Sequence, residues 1–395
     1  MNEDRRVYLD HAATTPIDGR VVEVMVRYLQ IDWGNPSSIY YEGREARKAL
    51  EAARRTVAGV LGARPNEVIF TSGGSEGDNT AIRGVAFAAR NRGSHIITSA
   101  IEHHAVLHAV EQLEREGFEA TYLPVDREGF VDPEDLRRAI RPDTTLVSIM
   151  YANNEVGTIE PLRELVAVTK EANRHIAFHT DAVQAAGILD LNVDHLGVDL
   201  LTLTAHKVYG PKGIGALYVR SRTPFVGQVL GGSQERNRRA GTENVAGAVG
   251  LAKALQLAYE EREQRVAHVR RLRDYLWAEL PQRLSGVRLT GPRAPDKRLP
   301  GNYSCCIEGV EGEAVLIQLD LNGIAASSGS ACTTGSLEPS HVLTAMGVPA
   351  DLARGSLRIS IGKDNTQADI DRLLEVLPRV VTKLRALAPA AGAAP

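Results

Sequence analysis

The alternation of helical and strand patterns between about residues 16 and 250 is the feature that most limits the fold of this 395-residue chain. Short apolar runs typical of buried strands recur along it, and stretches with helical spacing of apolar residues separate most of them. Such alternation predicts a mostly parallel sheet covered by helices, with ligands bound at the carboxyl ends of the strands. The predicted strands are residues 68–71, 95–98, 145–149, 177–180, 200–204 and 216–219.

A long helical region at about residues 245–284 separates this part of the chain from a different remainder. We expect a large domain over residues 16–259 and a smaller α+β domain formed by residues 1–15 and 260–386, followed by a frayed tail, 387–395. The remainder has strand patterns near residues 303–307 and 357–361, and helical patterns that begin at Glu311, Pro339 and Thr366.

The composition argues against several classes of protein. With 46 Lys and Arg residues against 49 Asp and Glu, the net charge of −3 disfavours a general nucleic-acid binder. The three cysteines are too few for a disulfide framework, and neighbouring Cys305 and Cys306 fit no usual zinc spacing. The N-terminus lacks the apolar stretch of a signal peptide, and no apolar run approaches the roughly 18 residues of a membrane span. We therefore expect a soluble, cytoplasmic protein with no metal site and no nucleic-acid or membrane partner.

Lys207 lies where an apolar predicted strand gives way to a glycine-rich turn, in TAHKVYGPKG. Beside His206 and the Thr204 hydroxyl, this lysine could form a Schiff base with an aldehyde or bind phosphate. Asp181 follows a neighbouring predicted strand, with Gln184 three residues beyond it, so these side chains could converge at one sheet end. A carboxylate beside a Schiff-base lysine is what pyridoxal phosphate requires, because it keeps the ring nitrogen protonated. The alternatives are a solvated lysine and a capping aspartate.

Two helix starts carry further candidates. The segment TSGGSEGDN, residues 71–79, follows a predicted strand, and the amides around Gly74 and Ser75 could hold an anion at a helix N-terminus. The alternative is a turn with a serine cap. In EHHAVL, His103 and His104 begin another helix, where an imidazole could stack on a flat ring and move protons, or could lie at the surface.

The last third of the chain holds an arginine and a cysteine of interest. In SLRISIG, alternation puts Arg358 and Ser360 on the face opposite the apolar residues, which suits capture of a carboxylate, and a surface ion pair is the alternative. Cys332 lies in AASSGSACTTGSLEPSH, a composition typical of an exposed loop, so it is a candidate reactive thiol. Such a thiol needs a base or cation that the local sequence does not show. Cys305 and Cys306 lie in an apolar strand pattern, which predicts that they are in the core.

Taken together, these motifs resemble the cysteine desulfurases of the NifS/IscS type, pyridoxal-phosphate enzymes of the class V aminotransferase group. The resemblance covers nearly the whole chain in the order and spacing of that family, through YLDHAATTP, GNPSS, TSGGSEGDN, EHHAVL, NNEVGTIEP, HTDAVQAAG, AHKVYGPKGIGALYVR, RRAGTENV, SSGSACTTGSLEPSHVL and LRISIG. It implies an α/β fold, fold type I of the pyridoxal-phosphate-dependent transferases, and a homodimer. It also implies conversion of L-cysteine to L-alanine, with the sulfur passing to an enzyme cysteine and then to an acceptor protein, such as an iron–sulfur scaffold or a sulfur carrier.

The resemblance further implies a role for each matching residue. Lys207 would hold the cofactor and remove the α-proton of the substrate, and Cys332 would be the nucleophile that takes the sulfur. Asp181 would contact the ring nitrogen, Gln184 the ring hydroxyl, and His103, also a catalytic group, would stack on the ring. The cofactor would further be held by Asn154, Gly74, Ser75, Thr204 and His206, with Thr242 reaching in from a second subunit, and the substrate carboxylate by Asn35, Asn154 and Arg358.

Other activities on the same fold are alternatives. A selenocysteine lyase would recognise the same carboxylate and amine, so these residues do not separate the two substrates. A class V aminotransferase needs no loop cysteine, so Cys332 argues against it. A non-catalytic phosphate-binding or scaffold protein is disfavoured because Lys207, Asp181, Cys332 and Arg358 are all present.

Overall fold

The computed structural model describes residues 6–329 and 339–387. In chain order the strands are β1 (Val7–Tyr8), β2 (Val68–Thr71), β3 (His95–Ser99), β4 (Glu119–Leu123), β5 (Thr144–Ser148), β6 (Ala177–Asp181), β7 (Leu200–Thr204), β8 (Gly215–Val219), β9 (Val287–Leu289), β10 (Asn302–Ile307), β11 (Ile324–Ala325) and β12 (Ser356–Ser360). The helices are α1 (Gly19–Gln30), α2 (Tyr41–Leu61), α3 (Gly74–Ala89), α4 (His104–Arg115), α5 (Pro133–Ala139), α6 (Leu162–Ala172), α7 (Val193–Leu196), α8 (Gln234–Asn237), α9 (Val245–Glu260), α10 (Arg262–Arg283), α11 (Gly312–Leu321), α12 (His341–Ala345), α13 (Ala350–Ala353) and α14 (Gln367–Leu387).

A seven-stranded sheet with the order β2-β8-β7-β6-β5-β3-β4 forms the centre of the larger unit. Its pairs are parallel except that β8 runs antiparallel to both of its neighbours. The mostly parallel sheet predicted from the sequence is therefore confirmed, and each predicted strand is present with its ends shifted by at most one residue. The edge strand β4 was not predicted. Its sequence, EATYL, buries only Leu123 and so lacks an apolar run.

Except for β4, the strands of this sheet are buried along their whole length, because helices cover both faces. Phe178 and Leu201 pack into a core shared with α6 and α9, whereas the adjacent Ala177 and Leu200 pack into a second core shared with α3 and α4. Alternate residues thus enter opposite layers, and both layers are buried. The long helical region expected near residues 245–284 is two helices, because Glu261 has a non-helical backbone (φ −101°, ψ 7°).

The smaller unit has its own sheet and its own core. Strands β9, β10 and β12 form an antiparallel sheet in the order β12-β10-β9, and β1 pairs with β11. Its core combines Leu9 from the start of the chain with apolar residues of α10, α11 and α14. The strands predicted near residues 303–307 and 357–361 are β10 and β12, and the three predicted helices begin at Gly312, His341 and Gln367.

The exact domain limits remain a prediction. The predicted tail lies outside the described residues from residue 388 onward, and Leu387 belongs to α14. No helix in the described ranges has the length and apolar character needed to span a bilayer.

Candidate active site

A cavity of about 360 Å³ lies at the carboxyl ends of β6 and β7, between the large sheet and the smaller unit. It is the place where a mostly parallel sheet is expected to bind its ligands. Its wall brings together eleven of the residues singled out from the sequence: Gly74, Ser75, His103, His104, Asn154, Asp181, Gln184, Thr204, His206, Lys207 and Arg358.

Three other candidates are not among the residues of this wall. Asn35 is exposed between α1 and α2, where its side-chain oxygen accepts a hydrogen bond from the Ser37 amide at 2.9 Å. Thr242 is exposed in the segment before α9. Cys332 lies outside the described residues. Gly329 and Pro339, the described residues on either side of the segment that contains Cys332, both line the cavity.

The N-terminal segment of the chain holds Lys207, which lies in a short 3₁₀ turn directly after β7. The lysine Nζ donates to the carbonyl oxygens of Ala12 and Ala13, the second at 2.7 Å. The Gln184 side-chain amide also donates to the Ala12 carbonyl, at 3.0 Å. The amine is therefore fixed at the cavity wall by main-chain acceptors some 195 residues away in sequence, which no local pattern indicates.

Asp181, the last residue of β6, is a buried acid at the cavity wall. Its carboxylate accepts a hydrogen bond from the Val183 amide at 2.9 Å. Burial raises the pKa of Asp181, while the amide of Val183 and the positive charge of Lys207 lower it. A second acid, Asp78 from α3, lines the same cavity, and burial together with the Asp181 charge raises the pKa of Asp78 well above its usual range. Since two neighbouring buried acids do not both ionise readily, we expect Asp78 to hold a proton and Asp181 to carry the charge.

A buried polar network below these acids was missed by sequence reasoning. His179 of β6 lies with Nε2 3.0 Å from the Thr202 hydroxyl and 3.7 Å from a carboxyl oxygen of Asp78. Its Nδ1 lies 2.9 Å from the Ser148 hydroxyl. Burial lowers the pKa of His179 to about 3, so the ring is neutral. The available signal was the presence of polar residues inside apolar strand patterns, which is unusual unless their partners are also buried.

The first two residues of α3, Gly74 and Ser75, line the cavity. Gly73 precedes this helix with φ +157° and ψ −171°, and a Cβ added there would lie 3.8 Å from the Thr204 hydroxyl. A Cβ on Gly77 would lie 2.5 Å from the Thr202 side chain, so only glycine allows α3 to pack this closely on β7. His206 completes this side, with Nδ1 3.2 Å from the Thr14 hydroxyl, and burial lowers its pKa to about 4. Helix amides, hydroxyl groups and a neutral imidazole suit an oxyanion.

His103 caps the N-terminus of α4. Its Nδ1 accepts a hydrogen bond from the Ala105 amide at 3.1 Å, so in the neutral ring the proton is on Nε2. Burial, helped by the charge of Lys207, lowers the pKa of His103 to about 4. The imidazole at the cavity wall is therefore neutral near pH 7.

Glu102, the residue before His103, anchors this end of α4 in the protein interior. One of its carboxyl oxygens accepts from the Ser99 hydroxyl at 2.6 Å and from the Met150 amide at 2.9 Å. The other oxygen has no hydrogen-bond partner among the described residues. Burial raises the pKa of Glu102 to about 8, so the side chain is protonated at neutral pH.

We predict that Glu102→Gln removes one component of the pH dependence of stability. The folded protein keeps a proton on Glu102 that the unfolded chain releases above its ordinary pKa. The free energy of unfolding of the wild type therefore falls by up to about 1.4 kcal/mol per pH unit as the pH rises from the ordinary glutamate pKa to about 8. Above about pH 8 the folded state also ionises, and the loss ends. Thermal unfolding at pH 5.5 and 8.5 should show the variant becoming more stable relative to the wild type as the pH rises. Exposed Glu260→Gln is the control, and a difference that does not change with pH would contradict the prediction.

Arg358 reaches the cavity from β12, with its side chain only 3% exposed. Its Nη1 donates to the Asn154 carbonyl at 3.0 Å, and its Nη2 donates to the Asp10 carboxylate at 2.8 Å. The Nε is buried and has no partner among the described residues. The predicted alternative of an ion pair is present, but it is not a surface pair, because Arg358 is buried and lines the cavity and Asp10 is only 17% exposed.

The cysteine thiols of β10 are fully buried, as the sequence predicts. Burial raises the pKa of Cys306 to about 12 and that of Cys305 further. Neither forms a thiolate at neutral pH, so neither is suited to nucleophilic attack. Within the described residues, no group of three or more His, Cys, Asp or Glu side chains is arranged to hold a metal ion.

Comparison with known proteins identifies clear relatives. The model of the family described as "Aminotransferase class-V" matches residues 7–373. The protein "Cysteine desulfurase IscS" of Dictyoglomus turgidum is 54% identical over 385 residues, which cover 98% of this chain and 97% of the relative. The solved structure of a "NIFS-LIKE PROTEIN" has a TM-score of 0.91 and 38% identity, and covers 96% of this chain and 100% of its own. The structure "SspA in complex with cysteine" has a TM-score of 0.79 and 36% identity, with 91% and 99% covered.

Proposed function

Because this chain belongs to the class V aminotransferase family, we propose that it is a cysteine desulfurase that depends on pyridoxal phosphate. The observation that carries the proposal is the shared cavity of Lys207, Asp181 and Arg358, which offers an amine, an acid and a carboxylate-binding cation within one site. The relative from Dictyoglomus turgidum carries the same activity in its name, and one structural neighbour is a complex with cysteine. Both support L-cysteine as the substrate.

The residues of the cavity fit pyridoxal phosphate. Lys207 offers an amine for its aldehyde, and Asp181 is a buried acid whose charge a protonated ring nitrogen would balance. The amides of Gly74 and Ser75 at the start of α3, with Thr204, His206 and Thr242 from a second copy of the chain, would hold the phosphate. Gln184 and Asn154 would hold the ring hydroxyl, and His103 would stack on the ring. When bound, the cofactor withdraws electrons from the α-carbon of the substrate.

The protein residues bind the substrate and move protons. Arg358, with Asn154 and Asn35, would bind the substrate carboxylate, and the Lys207 amine would take the α-proton. The Cys332 thiolate would then attack the sulfur of the substrate. The carbon–sulfur bond breaks as a sulfur–sulfur bond forms, and the proton of the Cys332 thiol ends on the new methyl group. L-Cysteine and one thiol thus give L-alanine and one persulfide, which we propose passes to an acceptor protein in the cytoplasm.

A homodimer is part of this proposal. The segment between α1 and α2 exposes large apolar side chains, including Ile31, Trp33 and Ile39, of which Ile39 is 88% exposed. Such a surface favours burial against another protein, and a second copy is the simplest partner. Asn35 lies in the same exposed segment and Thr242 is exposed as well, so a contact of either residue with a cavity requires the second copy.

The test is a product balance. Purified protein loaded with pyridoxal phosphate and given L-cysteine and a reducing thiol should form L-alanine and sulfide in equal amounts. An aminotransferase would instead consume a 2-oxo acid, and a simple elimination would give pyruvate and ammonia with the sulfide. Either of these results in place of the equal yields would overturn the proposed function. Parallel assays with selenocysteine would distinguish a selenocysteine lyase, which would prefer that substrate.

A further inference from the structure

Asp10 lies behind the proposed carboxylate-binding arginine. Its Oδ1 is 2.8 Å from the Arg358 Nη2, and the two side chains are 17% and 3% exposed. Arg358 lines the cavity, whereas Asp10 is not part of the cavity wall. The Asp10 backbone is itself fixed, because its carbonyl accepts hydrogen bonds from the Tyr8 hydroxyl at 2.9 Å and the Ala13 amide at 3.0 Å. The carboxylate is thus held against the guanidinium without touching the space that a ligand would fill.

The other contacts of Arg358 leave room for a ligand carboxylate. A guanidinium has five N–H groups, and the bonds to Asp10 and to the Asn154 carbonyl use two of them. The Nε proton and one proton on each terminal nitrogen remain. Glu155 is a second acid near Arg358 and lines the same cavity, where its carboxyl group accepts a hydrogen bond from the Ser340 hydroxyl.

We propose that Asp10 lowers the affinity of the carboxylate subsite for its ligand, because the negative charge of Asp10 cancels most of the positive charge of Arg358. This inference rests on the proposed function, in which Arg358 binds the substrate carboxylate. An incoming carboxylate meets a neutral ion pair in place of a bare buried cation, and it is also repelled by Asp10 across the guanidinium. Asp10 acts through Arg358 and is therefore a positioning residue.

The chemistry of the reaction explains why a lower affinity of the carboxylate subsite is useful. L-Cysteine and L-alanine carry the same α-carboxylate, so a stronger carboxylate subsite holds substrate and product equally tightly. Binding that is uniform along the reaction does not raise kcat, and tight binding of the product delays its release. A subsite with reduced charge still orients the substrate and lets alanine leave.

The test is equilibrium binding of L-alanine to the holoenzyme, monitored through the change in the visible spectrum of the holoenzyme. Asp10→Asn keeps the size and one acceptor oxygen but removes the charge, so we expect the Kd for L-alanine to fall about tenfold. L-Alaninamide has no carboxylate, so its Kd values for the wild type and for Asp10→Asn should agree within about twofold. Asp10→Glu keeps the charge and should bind L-alanine nearly as the wild type does. Asp320→Asn, at a surface carboxylate that pairs with Arg6, is the matched control.

Several results would overturn the inference. Unchanged or weaker binding of L-alanine by Asp10→Asn would mean that the charge of Asp10 does not limit the subsite. Equal tightening for L-alaninamide would point to a general change in the cavity. Unchanged binding of L-alanine by Arg358→Gln would show that Arg358 does not bind the carboxylate. Failure of the wild type to release sulfide from L-cysteine would instead reject the proposed function, and the alanine measurements would still decide the role of Asp10.

Discussion

Lys207→Ala is expected to lower sulfide release from L-cysteine by at least about a thousandfold. Lys207 is the only lysine among the described residues that line the cavity, so no other described amine can take its place. The variant should also lose the visible absorption of cofactor joined to the protein. After treatment with borohydride, the wild-type peptide that contains residue 207 should carry the cofactor mass, and the variant peptide should not.

Lys212→Ala is the matched control for this prediction. Lys212 lies five residues further along the chain and is exposed, and it is not part of the cavity wall. It should keep both the visible band and the activity. Far-ultraviolet circular dichroism would establish that Lys207→Ala is folded, since its loss also leaves the Ala12 and Ala13 carbonyls without a donor. A folded Lys207→Ala protein that releases sulfide at a rate near that of the wild type would rule out the assigned role.

The sheet and the larger part of the site could be predicted because their signals are local. A strand buried on both faces is mostly apolar, so runs such as that of β7 are visible in the sequence. Side chains that follow parallel strands meet at one sheet edge, which is why Asp181 and Lys207 could be expected to converge. Glycine at position 73 likewise marks the turn before a helix whose first residues line the cavity.

The remaining features depend on contacts between distant parts of the chain. Asp10 and Arg358 are separated by 348 positions, and neither local pattern indicates the other. The carbonyls that hold Lys207 belong to alanines, whose side chains carry no chemical signal. Asp78 lies in TSGGSEGDN, a motif whose pattern predicts either an anion-binding helix start or a turn with a serine cap, and neither reading indicates that Asp78 is buried in α3, where it is 1% exposed. Long-range pairing of this kind is fixed by the packing of the smaller unit against the sheet.

Cys332→Ser is expected to keep the cofactor and to bind L-cysteine. Its rate of sulfide release should nevertheless fall by at least about a hundredfold. A serine hydroxyl does not ionise near neutral pH and is a poor nucleophile toward sulfur. Cys305 and Cys306 cannot substitute, because both are fully buried and burial raises the pKa of each thiol. The visible spectrum with and without L-cysteine, measured beside sulfide release, separates the loss of chemistry from the loss of binding.

The comparison with Lys207→Ala gives this result its meaning. Both variants should fail to release sulfide, but only Cys332→Ser should keep the visible band and change it when L-cysteine binds. Cys306→Ala is the control, because it removes a buried thiol of β10 and should leave sulfide release intact. If Cys332→Ser still releases sulfide from L-cysteine at the wild-type rate, the thiol is not the sulfur acceptor and the desulfurase assignment fails. In the proposed mechanism the Lys207 amine would determine which cofactor is held, whereas the Cys332 thiol would determine which reaction follows.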